Sequence, residues 1–221
     1  MTLSSFFDAI TIFWITVMRT ILKILFITLL GLTSVAQAAT GSANAGDTLH
    51  DIQGFFPDLK FALEGAGGKT VTQEAFKGKV VLLYFGYSNC PDVCPTTMAQ
   101  LAQVIKKLGP EGSDARIVFI SVDPGRDTPD KLQTYVRVFS KDAVGLTGSP
   151  DKIASVARRY RVAFQIGKPT TSDKHDYVVT HSRGVYVFDQ QGHARLVASG
   201  VGSVEALTAS VRKIIEHPGK G

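Results

Sequence analysis

The chain holds two cysteines, four residues apart in Cys90-Pro91-Asp92-Val93-Cys94. A thiol pair at this spacing can pass electrons as dithiol and disulfide, hold a soft metal ion, or close a structural bridge. A bridge here would enclose a very short loop and remove little unfolded-state entropy, so a purely structural staple gains least from the spacing. The familiar Cys-X-X-Cys redox pair has two intervening residues. The three found here alter the sulfur geometry and favour a metal-competent site without excluding thiol exchange. A metal needs more than two thiolates, and imidazole is a suitable third donor for copper or zinc.

Five histidines could supply it. His50 lies in a polar lead-in, His217 near the C-terminal end, His193 just after a turn glycine, and His175 among Asp173, Lys174 and Asp176. These four read as solvated. His181 differs: it ends the run Tyr177-Val178-Val179-Thr180, directly before Ser182-Arg183-Gly184, where a strand end on a sheet rim can meet the cysteine segment; a hydrogen-bonded core histidine is the equal alternative on these residues alone.

The elements that must position these residues follow from apolar periodicity. Residues 80–84 form an unbroken apolar run that reads as a strand buried on both faces, immediately ahead of the cysteines. Residues 96–108 carry Met98, Leu101, Val104, Ile105 and Leu108 on one helical stripe, closed by Gly109-Pro110. The thiols thus sit at a strand-to-helix junction, where free N–H groups favour thiolates, and Pro91 and Pro95 restrict the backbone on both sides. Residues 117–122 read as another strand. Thr128-Pro129-Asp130 and Ser149-Pro150-Asp151 each combine an N-cap with proline at the first turn, predicting helices to about 139 and 160. Residues 55–63, 162–166, 177–181 and 185–188 read as strands, Gln190-Gln191-Gly192 as a turn, and 203–216 as a closing helix. This order predicts an α/β fold with a mixed central sheet flanked by helices, compatible with a thioredoxin-like domain carrying a hairpin insertion near 164–177.

The first 38 residues have the plan of a secretory signal peptide: basic Arg19 and Lys23, an apolar run over 24–32, then Ala36-Gln37-Ala38. Met18 is read as the true start, with residues 1–17 upstream of it; the alternative is a retained membrane anchor over 10–32. Residues 39–52 read as a flexible lead-in and 53–217 as the folded domain. Cleavage leaves about 183 residues, enough for one substantial core, and lowers the net charge from +5 to +4. So modest an excess, without a basic run or interleaved aromatics, argues against nucleic acid as a partner. Export implies an oxidising space, read here as the periplasmic side of a bacterial inner membrane, with the domain soluble or tethered there.

Three segments together resemble the Sco/SenC family of exported copper proteins. The cysteine motif spans Tyr84-Phe85-Gly86-Tyr87-Ser88-Asn89-Cys90-Pro91-Asp92-Val93-Cys94-Pro95; Ile120-Ser121-Val122-Asp123-Pro124-Gly125-Arg126-Asp127-Thr128-Pro129 resembles a second signature, and 177–182 the histidine signature. The resemblance implies a thioredoxin-like fold and a copper site, for Cu(I), Cu(II) or both, built from Cys90, Cys94 and His181. It implies a chaperone for the dinuclear copper centre of cytochrome c oxidase rather than an enzyme, with the copper-bearing subunit and another periplasmic copper carrier as partners. The alternative is a thiol–disulfide oxidoreductase, with Cys90 and Cys94 catalytic, that reduces the acceptor's cysteines. The family signature has aspartate before the histidine, where this chain has Thr180. Asp123 could act as a further Cu(II) ligand or a supporting partner, though a turn former before Pro124 is the simpler role. Met98 belongs to the helix stripe, and Asp92 to solvent. A monomer is expected.

Overall fold

The unbroken apolar run after Lys79 becomes the central strand of a six-stranded sheet. The structure is a computed structural model and describes residues 49–200 and 203–218. Its strands are β1 (Leu49–Asp51), β2 (Ala62–Glu64), β3 (Thr70–Thr72), β4 (Val80–Gly86), β5 (Ala115–Ser121), β6 (Val144–Leu146), β7 (Phe164–Ile166), β8 (Val179–His181), β9 (Val185–Phe188) and β10 (Ala194–Ala198). Its helices are α1 (Val93–Leu108), α2 (Pro129–Arg137), α3 (Pro150–Arg159) and α4 (Val204–Glu216).

The main sheet runs β1-β10-β9-β4-β5-β6. β4 is parallel to β5 and antiparallel to β9, so the sheet is mixed at its centre. All seven residues of β4 are buried, which requires cover on both faces and explains why the run never alternates with polar residues. Two hairpins stand apart: β2 with β3, and β7 with β8, the latter joined by the long connection 167–178.

Local chemistry sets the helices. α1 buries Cys94, Thr97, Met98, Leu101, Val104 and Leu108 at three- and four-residue spacing, and stops at Gly109, whose φ of 65° suits glycine. The hydroxyls of Thr128 and Ser149 accept from the Lys131 and Lys152 amides, with proline at the first turn of α2 and α3 as the sequence predicts.

Several boundaries differ from expectation. α1 begins at Val93 rather than 96, with Cys94 in its opening turn and Cys90 just ahead of it, as the strand-to-helix junction implies. The strand read over 55–63 shrinks to its last residues, β2. Pro57 lacks an amide donor, Phe55 is exposed, and the Lys60 amide donates to the Tyr160 hydroxyl (2.7 Å) instead of joining a ladder. The strand read over 177–181 starts only at Val179. Part of the lead-in is ordered, because Leu49–Asp51 pairs with β10 at the sheet edge. β3, β6 and β10 carry no clear strand signal of their own and owe their state to long-range pairing. The signal or anchor expected at 1–38, the Met18 start and most of the lead-in lie outside the described residues.

Candidate thiol and metal site

β4 ends at Gly86 and delivers the chain into the cysteine loop. A side chain at 86 would bring its Cβ within 2.9 Å of Cys94 Sγ and 2.8 Å of the Phe119 ring, so only glycine leaves room for the sulfur. Cys90 follows, half-buried ahead of α1; Cys94 is wholly buried in the helix's first turn. Both thiols are free, and the Cys94 amide donates to Cys90 Sγ at 3.4 Å.

β8 brings in the third residue. His181 Nε2 stands 3.3 Å from Cys94 Sγ. The other ring nitrogen, Nδ1, lies 2.8 Å from the Ser182 carbonyl oxygen. A carbonyl can only accept, so Nδ1 carries the proton and the neutral ring turns the Nε2 lone pair toward the sulfur. The rings of Tyr84 and Tyr87 meet the imidazole edge-on, with centroids 6.0 and 5.9 Å away, and hold its plane. The Tyr84 hydroxyl also points at Cys94 Sγ, at 3.9 Å.

The two thiols differ electrostatically. Burial pushes Cys94 up to about 12, and the neighbouring Cys90 adds to the rise. Burial acts against ionisation of Cys90 as well, but the amide N–H groups of Cys94 and Asp92 outweigh it and bring this thiol below its usual range. Burial also lowers the His181 pKa, which keeps the imidazole neutral. Tyr87 is raised to about 12 by burial and by Cys90.

Around this core, Asp127 is buried and accepts from the Ser88 amide (2.9 Å), the Ser88 hydroxyl and the Ser121 hydroxyl (2.6 Å). The backbone two residues before Cys90 is thereby tied to the end of β5. Asp123 is fully buried too, but Arg126 Nε and the Tyr177 hydroxyl (2.7 Å) occupy its carboxylate, so its position is that of a loop anchor. Met98 lies in the core, and Asp92 and Thr180 are exposed. His50, His175, His193 and His217 are all exposed.

The fold therefore gathers Cys90, Cys94 and His181 at one end of β4 and leaves the other histidines apart. Among the described residues, no three Cys, His, Asp or Glu side chains are drawn in tightly enough to form a ready-made cage. The direct contacts run from His181 to Cys94 and from Cys94 to Cys90. The sequence reading did not assign roles to Tyr84, Tyr87, Gly86, Arg126 or Asp127, although all five lie within the motifs it singled out.

A buried strand leading to a thiol pair at a helix N-terminus, in a mixed sheet flanked by helices, defines a thioredoxin-like domain adapted for thiol or metal chemistry. The chain belongs to the SCO1/SenC family, which it matches over residues 55–216. It is similar to protein SCO1 homolog 1, mitochondrial, of Arabidopsis thaliana, with 40% identity over 158 residues, 71% of this chain and 46% of that protein. Among solved structures it is similar to Arabidopsis thaliana ScoI with copper bound: TM-score 0.64, 39% identity, covering 72% of this chain and 98% of that one. It is also similar to BsSco, described as a member of the Sco family of cytochrome c oxidase assembly proteins with a disulfide switch: TM-score 0.56, 25% identity, covering 74% and 97% of the two chains. The chain spans about half the length of the curated relatives it matches.

These relatives correct one expectation. The leader expected at 1–38 points to the periplasmic side of a bacterial inner membrane, whereas curated relatives from Arabidopsis thaliana, Bos taurus and Saccharomyces cerevisiae are mitochondrial proteins. A short basic and apolar leader reports that a chain is targeted, but its physical pattern does not name the compartment.

Proposed function

We propose that this chain is a copper-handling assembly factor that carries one copper ion on Cys90, Cys94 and His181 and delivers it to the dinuclear copper centre of cytochrome c oxidase. The observation that carries the reading is the approach of His181 Nε2 to Cys94 Sγ at 3.3 Å, with Nδ1 already engaged by the Ser182 carbonyl. That arrangement supplies a neutral imidazole with its free lone pair beside a thiol pair. Two thiolates and one imidazole suit Cu(I) in a three-coordinate site; Cu(II) would recruit a further oxygen donor such as water. Copper in Arabidopsis ScoI and the oxidase-assembly role named for the BsSco family support the cargo and the client. The copper-bearing subunit of the oxidase is the acceptor in this reading.

Anaerobic competition of the reduced protein against a Cu(I) chelator tests it. One tightly held ion is expected, and His181→Ala should weaken binding by more than the ~10–100-fold cost of losing a supporting partner of a metal ligand. Unchanged affinity in that variant removes His181 from the site.

The opposed shifts of the two thiols favour a second reading, in which the domain reduces the acceptor before copper arrives. The Cys90 thiolate attacks an acceptor disulfide and releases one acceptor thiolate, forming a mixed disulfide. Cys94, giving its proton to His181, then displaces the second acceptor thiol. The acceptor gains two electrons, and Cys90 and Cys94 are left as a disulfide. Rapid exchange with an acceptor peptide, coupled with weak copper binding, would favour this reading over the first.

A further inference from the structure

We propose that Arg126 is the positioning residue that holds His181 against the cysteine pair, a reading that rests on the copper site proposed above. Arg126 follows β5, on the cysteine side of the fold, yet most of its contacts reach the connection 167–178 that leads into β8. Its Nε donates to the buried Asp123 carboxylate. Its Nη1 donates to two backbone carbonyls of that connection, His175 and Tyr177, each at 3.0 Å. Its guanidinium carbon stands 3.9 Å from the centre of the Tyr177 ring, and the Tyr177 hydroxyl returns to Asp123 at 2.7 Å.

One planar cation thus grips the backbone six and four residues before His181, stacks on the Tyr177 ring, and is itself fixed by the Asp123 carboxylate of its own loop. The guanidinium also lies 5.6 Å from the Tyr87 ring, whose edge contact orients the imidazole. Asp127, the next residue, secures the Ser88 backbone and hydroxyl on the cysteine loop. Adjacent residues of a single loop therefore hold the two halves of the site, Asp127 the thiols and Arg126 the histidine. Val178, beside the gripped carbonyl, is exposed, and the connection has no sheet partner over 167–178. Without Arg126, the connection would keep its own bonds, Gly167 amide to Val178 carbonyl and Thr170 amide to Asp176 carbonyl, both 2.8 Å, and would lose the guanidinium that ties its backbone to the loop after β5.

The test is a double-mutant comparison in the full chain with two readouts. Arg126→Met keeps the length of the stem and removes the fork. It should speed amide hydrogen exchange over 175–181 while leaving α1 unchanged, a readout that needs no copper. It should also weaken Cu(I) affinity about 10–100-fold, the range for losing a partner that orients a ligand. In a His181→Ala background the same substitution should cost less than about twofold, because its effect runs through the histidine. Equal losses in both backgrounds, or unchanged exchange over 175–181, overturn the proposal. If Arg126→Met does not fold, Arg126→Lys keeps the charge, removes the planar fork that holds both carbonyls, and should speed exchange in the same segment; no acceleration there also overturns it. Should the wild-type protein fail to bind copper, the cargo reading falls, and the exchange measurement still decides the role of Arg126.

Discussion

His181 Nε2 meets Cys94 Sγ at 3.3 Å, across 87 positions of sequence. Neither residue gets there by its own preference. Cys94 is drawn inward on the apolar stripe of α1, and His181 is carried to the rim by a hairpin whose connection is anchored through Arg126. The contact joins two distant motifs, and its consequences can be measured on the metal-free protein.

The thiols should differ sharply in reactivity. Cys90 is half-buried and ionises below the usual thiol range, whereas Cys94 is buried and raised to about 12. Iodoacetamide treatment of the reduced protein at neutral pH, followed by peptide mass spectrometry, is expected to label Cys90 and spare Cys94. Equal labelling of both sulfurs would contradict the asymmetry.

Stability of the metal-free protein should fall in alkali. The ordinary thiol value is 9.0 and that of folded Cys94 about 12, so the unfolded chain loses this proton first as pH rises. The contribution is complete below about pH 9 and disappears between about 9 and 12, at no more than ~1.4 kcal/mol per pH unit. Burial raises Tyr84 as well, so the thiol's share is isolated by comparison with Cys94→Ala. Urea denaturation at several alkaline pH values should show a shallower decline in the variant; parallel curves would refute the assignment.

Gly86→Ala tests the packing beneath the site. The new methyl would press on Cys94 Sγ at 2.9 Å and on the Phe119 ring at 2.8 Å. Overpacking of this kind costs about 1–3 kcal/mol. The denaturation midpoint should drop accordingly, and labelling of Cys94 should increase as its sulfur is displaced. An unchanged midpoint would mean that the space at Gly86 is not needed.

Removing Asp127 should loosen the cysteine loop. Asp127→Ala strands the Ser88 amide and the Ser121 hydroxyl, both of which now donate to this carboxylate. A buried group left without its partner costs about 1–3 kcal/mol. Equilibrium denaturation should register at least one such loss, and a change below about 0.5 kcal/mol, the range of ordinary surface substitutions, would argue against the role.

The thiol pair, the buried strand ahead of it and the histidine at a later strand end were legible because each is a local signal: residue type, spacing or an unbroken apolar run. So were the starts of α2 and α3, where a hydroxyl and a proline stand together at each N-terminus. What escaped was set by contacts between distant segments. β1 is a strand only because β10 lies beside it, and Arg126 acts on 175 and 177 through contacts that no nearby residue announces. The stretch 55–63 misled because its backbone bonds the Tyr160 hydroxyl, which accepts from the Lys60 amide and donates to the Asp58 carbonyl, in place of a strand partner. The strand-end position of Asp123 suits a copper partner, but in the fold Arg126 and Tyr177 occupy its carboxylate.

We propose that both cysteines and His181 share one copper ion, and X-ray absorption of the Cu(I)-loaded wild-type protein and of its His181→Ala variant decides it. Two sulfurs and one nitrogen are expected around copper in the wild type, with the nitrogen contribution gone in the variant. A sulfur-only shell in the wild type, or a nitrogen signal that survives His181→Ala, would contradict it.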